Sequence, residues 1–525
     1  MKILITDSLS EEGIAKLCDE GFEVTEGKNR GEDELVRIIP EYDALIVRSE
    51  TKVTETIINA ASNLKIIGRA GTGLDNIDVD AATRKGIIVM NTPESNTISA
   101  AEHTVSMLLS LSRNIPQAHL SLKKGIWDRK KFMGTEIYGK TLGVIGLGRI
   151  GSQVARRAQC LGMKVMAYDP FTSRQKAEEI GVILCSLDEL LSAVDYLTIH
   201  TPLTEHTKCL ISEREFSLMK NGVRVINCAR GGVIDEGALL RAIKTGKVKG
   251  AALDVFENGK PFGSPLLELD SVIVTPHLGA STREAQVRVA EEITTQIIDA
   301  LKKGEIRNAV NIPSFPLHLK KKIGGYLSLV EKMGTLAAQL VEGNLKDVEV
   351  IYKGDLAEYE VKPLTSALIK GLLSFVLKEG VNYINAPVLA KERGIKVSEV
   401  KTTEEKEYSS VVEVRVFSDD TKLEVEGTLL EKKIPYVVRI NNHYLEFIPQ
   451  GHLLICRNVD KPGAVGKISS TLGEFGINIA GLHMGRAAPG EENVSVYSLD
   501  SSPTLKVIQA LQDIEEVLGA KLVHL

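Results

Sequence analysis

Short apolar runs of strand length recur along the first 280 residues, with amphipathic stretches between them. The runs are Lys2–Thr6, Ala44–Val47, Lys65–Gly68, Thr141–Gly146, Lys164–Tyr168, Tyr196–His200, Val223–Asn227 and Ala251–Val255. Glu11–Cys18 and Leu239–Lys244 carry helical patterns between such runs. This alternation predicts parallel sheets joined by crossover helices, an α/β class with two doubly wound units. One unit is expected over 1–97 and the other over 98–280. Ser281–Lys303 reads as one long helix that returns to the first unit, so that domain is expected to comprise 1–97 and 281–310.

After Asn308 the pattern changes. Asn311–Pro316 reads as a linker, since its prolines disfavour helix. The stretch 315–450 mixes helical and strand-like patterns in an α+β manner and carries no catalytic motif. From 453 to 525 the order is strand (Leu453–Arg457), turn, helix (Val465–Phe475), strand, strand, helix (Thr504–Ile514), strand, a βαββαβ unit.

Composition narrows the function classes. A chain of 525 residues implies about three or four domains. A net charge of −5 argues against a general nucleic-acid surface. The six cysteines show no metal or redox spacing, so they read as free thiols in a reducing, cytoplasmic compartment, and no metal is expected. The first apolar run is broken at Asp7, which suits a buried strand rather than a signal peptide. No apolar run approaches 18 residues, so no membrane association is expected.

Gly146-Leu147-Gly148-Arg149-Ile150-Gly151 is a GxGxxG placed between a predicted strand and a predicted helix. Gly146 permits the tight turn, Gly148 lets the backbone approach a pyrophosphate, and Gly151 lets the helix pack closely on the sheet. The helix start offers N–H groups and a positive dipole end to phosphates. Asp169 ends the second strand, 23 residues after Gly146. A carboxylate there binds ribose hydroxyls and repels a 2′-phosphate, so NAD is expected over NADP.

Asn227-Cys228-Ala229-Arg230 follows another strand, and Thr275-Pro276-His277-Leu278-Gly279-Ala280 follows Val272–Val274. Both therefore sit at the carboxyl end of the sheet, where ligands bind in open α/β folds. Arg230 offers a planar fork that holds a carboxylate and polarises a developing carbonyl. His277 titrates near working pH and suits a base that takes a hydroxyl proton. Asp254 ends a further strand and is placed near the same end.

At these residues the chain resembles the D-2-hydroxyacid dehydrogenases. The strings that carry the resemblance are GRAGTGLDNID (68–78), KTLGVIGLGRIG (140–151), NCARGGVIDEGAL (227–239), GAALDVF (250–256) and TPHLGAST (275–282). The resemblance runs end to end and implies NAD-dependent oxidation of 3-phospho-D-glycerate, the first step of L-serine synthesis. It implies cofactor contacts at Thr72, Arg149, Ile150, Asp169, Thr201, Cys228, Ala229, Arg230, Asp254, His277, Leu278, Gly279 and Ala280. Arg230 would anchor substrate and His277 would be the acid/base. Arg48, Arg69 and Arg129 are candidates for the substrate phosphate, with solvated arginines as the alternative.

The sequence departs from the family at one point. The family places a histidine-supporting glutamate five residues after the aspartate that corresponds to Asp254, and here that position is Gly259. Either Glu257 reaches His277 instead, or the supporting acid is absent. The last unit resembles an ACT regulatory domain, with Asn458, Asp460 and Asn478 at effector positions and L-serine as the implied effector. The stretch 315–450 resembles an intervening domain of an allosteric, substrate-binding type. The family pairs through its nucleotide-binding domains, so a homotetramer is expected. Two alternatives stay open: a dehydrogenase of another acid such as 2-hydroxyglutarate, and a weakened NAD-binding metabolite sensor.

Overall fold

The computed structural model describes every residue except 28–29, 313–316, 378–379, 405–407, 432 and 487–490, and leaves the side chains of 317–321 undescribed. The linker expected at Asn311–Pro316 therefore lies outside the described residues beyond position 312.

The first sheet holds β1 (Lys2–Ile5), β2 (Glu23–Glu26), β3 (Ala44–Val47), β4 (Ile66–Arg69) and β5 (Ile88–Asn91), all parallel, in the order β2-β1-β3-β4-β5. β2 has no apolar run because it is an edge strand whose ends are exposed. The helix Arg283–Ile298 packs on this sheet: Val289, Ile293, Ile297 and Ile298 share a core with Ile3, Ile5, Ile46 and Ile66. The single long helix expected over Ser281–Lys303 is shorter at both ends. Thr282 caps its start through Ala285 N–H, and a π-helical turn over Asp299–Lys303 closes it.

The second sheet holds β6 (Thr141–Ile145), β7 (Lys164–Tyr168), β8 (Ile183–Leu184), β9 (Tyr196–Ile199), β10 (Val223–Asn227), β11 (Val248–Leu253) and β12 (Val272–Val274). Its order is β12-β11-β10-β9-β6-β7-β8, again parallel. The strand order reverses between β6 and β9, and ligands bind beyond the carboxyl ends of strands at such a switch point. Both carboxyl ends there carry motif residues, Gly146 after β6 and His200-Thr201 after β9.

The third sheet is mixed, in the order β14-β13-β15-β16-β17-β18, with β13 (Leu345–Gly354), β14 (Lys396–Thr402), β15 (Ser410–Ser418), β16 (Lys422–Leu430), β17 (Ile434–Ile440) and β18 (His443–Phe447). The fourth is antiparallel, β20-β21-β19-β22, with β19 (His452–Val459), β20 (Ile479–Arg486), β21 (Glu492–Leu499) and β22 (Val517–His524). Successive residues of a strand face opposite sides, and β19 uses both. Leu454 and Cys456 pack on Ile468 and Leu472, whereas Leu453 and Ile455 join a core with Val437, Leu445 and Phe447. The last two units thus share one core. Among the described residues no helix is long and apolar enough to cross a membrane.

Candidate active site

The turn after β6 is built for close approach. Gly146 adopts φ +88°, a conformation that L side chains rarely take, and its N–H donates to Tyr168 O at 2.9 Å. A Cβ on Gly151 would lie 2.0 Å from Gly146 O, so only glycine lets the helix Arg149–Cys160 start this close to the strand. A Cβ on Gly148 would meet nothing within 4 Å, which leaves open space above the turn. That helix has no side-chain cap, so its first N–H groups face this space. Asp169 Oδ2 accepts Leu147 N–H and its Oδ1 accepts Phe171 N–H, both at 2.8 Å, which fixes the carboxylate beside the glycine turn. Across the switch point, Thr201 Oγ1 is buried without a hydrogen-bond partner. Ile150 packs into the core beneath, and Arg149 pairs with Glu94 at 3.3 Å at the surface. An uncapped helix start, a glycine cradle and an orphaned hydroxyl fit a dinucleotide.

The strand-end loops meet at Asp254, whose side chain is fully buried. Its Oδ1 accepts Thr275 Oγ1–H at 2.6 Å and Leu278 N–H at 2.7 Å, and its Oδ2 accepts Gly279 N–H at 2.9 Å. His103, on the helix Thr97–Arg113, adds Nε2 at 3.2 Å from Oδ1. Burial by itself would push the Asp254 carboxyl up. The His103, Thr275 and Leu278 contacts outweigh it and hold the pKa below the usual carboxylate value. The turn so fixed puts His277 at φ +56°, its N–H bonded to Asp254 O and Thr275 O at 3.0 Å each. Ala280 follows on the same turn, where Ser281 N–H bonds Leu278 O at 2.8 Å.

His277 is exposed as a residue, yet enough protein surrounds it that lost hydration lowers its pKa. Asp254 opposes that shift, Arg230 and Arg69 add to it, and Asp75 opposes it. Arg230 follows β10 in a turn tied by Asn227, whose Nδ2 donates to Arg230 O at 2.9 Å and whose Oδ1 accepts Ala229 N–H at 3.0 Å. Its Nη1 donates to Ala229 O at 2.7 Å, and its Nε lies 2.8 Å from Asp75 Oδ2. Cys228 in that turn is an unreactive thiol, pushed up to about 12 by burial and by Asp254.

Arg48 and Arg69, at the carboxyl ends of β3 and β4, face the same region. Burial, with the neighbouring Arg230 and Arg48 adding to it, lowers the Arg69 pKa to about 10. Asp7 accepts Arg48 N–H at 2.5 Å and both the N–H and the hydroxyl of Thr51, which holds the Arg48 loop. Thr72 bonds Asn96 Oδ1 at 2.9 Å, tying the first sheet's loops to the start of the helix Thr97–Arg113. Arg129 stands apart in an exposed segment beside Trp127, which is 78% exposed. Glu257 is exposed and gives its N–H to Glu236 Oε1 at 2.7 Å. Gly259 is exposed too, and a Cβ there would meet nothing within 4 Å. The charges that bear on His277 come from Asp254, Arg230, Arg69 and Asp75. Sequence reasoning missed Asp75 and His103, although Asp75 lies inside the string 68–78.

In the last unit a cavity of about 320 Å³ is lined by Asn458, Asp460, Lys461, Gly463, Arg486 and Asn493, among others. Arg486 Nη2 lies 2.8 Å from Asp460 Oδ2, and the buried Asn493 Oδ1 has no partner. Asn478 is exposed elsewhere and donates to Asp500 at 2.6 Å. A second cavity of similar size lies on the third sheet, where Lys353, Arg415 and Arg439 are each paired with glutamates, among them Glu413 and Glu426.

The chain matches three family models. They are the D-isomer specific 2-hydroxyacid dehydrogenase NAD binding domain over 105–279, the D-3-phosphoglycerate dehydrogenase intervening domain over 322–441 and the ACT domain over 452–516. It is 45% identical over 527 residues to the D-3-phosphoglycerate dehydrogenase of Methanocaldococcus jannaschii, covering 100% of both chains. It is 41% identical over 526 residues to that of Bacillus subtilis, covering 100% of this chain and 99% of the relative. Among solved structures, D-lactate dehydrogenase from Aquifex aeolicus complexed with NAD and lactic acid aligns with TM-score 0.53 at 34% identity, covering 59% of this chain and 100% of that one. A glyoxylate reductase from Paecilomyes thermophila aligns with TM-score 0.55 at 31% identity, covering 59% of this chain and 97% of that one.

Proposed function

Since the chain belongs to the D-3-phosphoglycerate dehydrogenases, we propose that it oxidises 3-phospho-D-glycerate to 3-phosphohydroxypyruvate in the cytoplasm, as the first step of L-serine synthesis. The observation that supports this reading is the clustering of His277, Arg230, Arg69 and Arg48 at the carboxyl ends of the strands. One base and three guanidinium groups suit a hydroxy acid that bears both a carboxylate and a phosphate. The active site would be shared between an NAD-binding domain (98–280) and a substrate-binding domain (1–97 with 281–310).

NAD, when bound, would supply the two-electron acceptor for the hydride that leaves C2 of the substrate. Gly146, Gly148, Gly151 and the helix start after them would hold its pyrophosphate, and Asp169 its adenosine ribose. Arg230 holds the substrate carboxylate and polarises the C2 oxygen as it becomes a carbonyl. His277 takes the C2 hydroxyl proton onto its imidazole. Asp254 orients the His277 turn and favours the protonated ring. Arg48 and Arg69 receive the phosphate. Arg129 would join them only from a second copy in a homotetramer, whose pairing would cover the exposed Trp127, Ile126 and Leu122 beside it.

The pocket of Asn458, Asp460 and Arg486 offers both charge signs and fits an amino-acid effector, with L-serine the expected one. The unit between 315 and 450 would serve as an allosteric domain of the substrate-binding type. A second reading, a weakened NAD-binding sensor, draws on the outward-facing Gly259 at the position of the family's supporting acid.

A coupled assay with NADH and 3-phosphohydroxypyruvate, run beside a panel of unphosphorylated 2-keto acids, tests the proposal. Preference for an unphosphorylated acid overturns the substrate, and no turnover of any of them favours the sensor. Glu257→Gln tests the supporting acid. A fall of about 10²-fold would keep Glu257 in that role, and an unchanged rate would remove it. L-Serine titration without inhibition removes the effector.

A further inference from the structure

Arg48, Arg69 and Arg230 face two carboxylates that differ in how they are held. Asp7 is 4% exposed, and backbone and hydroxyl donors from Arg48 and Thr51 fix it. Asp75 has a side chain 60% exposed, and it pairs with Arg230 Nε at 2.8 Å. It rides on the loop between β4 and the helix Val79–Lys85, which contains Gly71 and Gly73. A Cβ on Gly73 would lie 2.1 Å from Arg230 Nη2 and 3.0 Å from Asp75 Oδ2, so the arginine lies directly over that backbone. The next residue, Asn76, is pinned by its Nδ2 to Arg48 O and Thr51 O, both at 2.6 Å. The loop thus has a fixed pivot at Asn76 and an exposed carboxylate beside it.

We propose that Asp75 is an exchangeable stand-in for the substrate's carboxylate, seated on Arg230 in the free protein and displaced when substrate binds. The inference rests on Arg230 being the substrate anchor. Arg230 spends Nη1 on Ala229 O, so its Nε edge is the side on which a planar carboxylate docks, and Asp75 occupies it. Without a counterion, three guanidinium groups would repel one another across a cleft with no ligand to neutralise them. Asp75 supplies that charge and leaves when an incoming anion replaces it. Its cost is a weaker apparent affinity for every ligand carboxylate, since each must first break an existing ion pair. Asp75 therefore sets KM without touching the reacting carbon.

Oxalate binding to the full chain saturated with NADH, followed by calorimetry, tests this in wild type, Asp75→Asn and Asp75→Ser. Both variants should bind oxalate about two- to tenfold more tightly, as expected for removing one partly exposed competing ion pair. The KM for 3-phosphoglycerate should fall by the same factor. Unchanged or weaker oxalate binding in variants that melt like wild type overturns the proposal, and weaker binding shows Asp75 orienting Arg230 instead. A wild-type crystal grown with oxalate gives a reading free of substitution. Oxalate on Arg230 Nε with Asp75 released supports the exchange, and Asp75 still seated there refutes it. Should 3-phosphoglycerate prove not to be the substrate, the oxalate measurements still decide the role of Asp75.

Discussion

His103 Nε2 lies 3.2 Å from Asp254 Oδ1, which joins the helix Thr97–Arg113 to the loop that presents His277. The Asp254 pKa is depressed in the folded chain, so its ionised form stabilises the fold. That contribution is present above the ordinary carboxylate range and is lost as pH falls through the depressed folded value. Asp254→Asn is expected to destabilise the protein by about 2–4 kcal/mol at pH 7, since charged hydrogen bonds to a buried acceptor are weakened. Thermal melts should show the gap to wild type shrinking below pH 4. A constant gap across that range would mean that Asp254 is not ionised in the fold.

Burial lowers the His277 pKa, so the ring is neutral and able to act as a base down to pH values below 6.5. Oxidation needs that neutral form. The acid limb of kcat/KM for 3-phosphoglycerate oxidation should therefore lie below 6.5 and rise with unit slope. A limb well above 6.5 would assign the base to another group.

Gly151→Ala would place a methyl 2.0 Å from Gly146 O, and backbone cannot yield as a side chain tip can. The expected cost is about 1–3 kcal/mol of stability, with NAD affinity at least about tenfold weaker as the turn opens. Calorimetric NAD titration of the purified variant checks this. Wild-type affinity would show that the helix start tolerates displacement.

Asp169 is held beside the glycine turn by two backbone N–H groups, which aims its charge at whatever ribose lies there. Asp169→Ala should lower the NAD-to-NADP preference in kcat/KM about 10- to 100-fold, through lost charge-assisted bonds and relieved repulsion of a 2′-phosphate. An unchanged ratio would place the discrimination elsewhere.

Several of these relationships follow from local rules and were legible in the chain. The turn at Gly146, Gly148 and Gly151 follows from spacing between a strand and a helix. Asp169, Arg230 and His277 follow because each ends or follows an apolar run, and in a parallel sheet that end faces the ligand. Strand edges were less legible. The predicted run Ala251–Val255 begins in fact at Val248, because Lys249 is exposed and Gly250 is small, which interrupts the apolar signal.

The amino-acid order by itself determined which backbone turns form and which chemical groups stand at the strand ends, because those depend on neighbours a few residues apart. Only the tertiary structure decided which charges meet. Asp75 reaches Arg230, His103 reaches Asp254, and Leu453 and Ile455 join a core with Val437, across separations that no local pattern encodes. It also turned Gly259 outward and left His277 among Asp254, Asp75 and two arginines. Long-range electrostatics and packing are set by how sheets are stacked and loops are pinned, and a carboxylate carries no mark in the chain of the cation it will find.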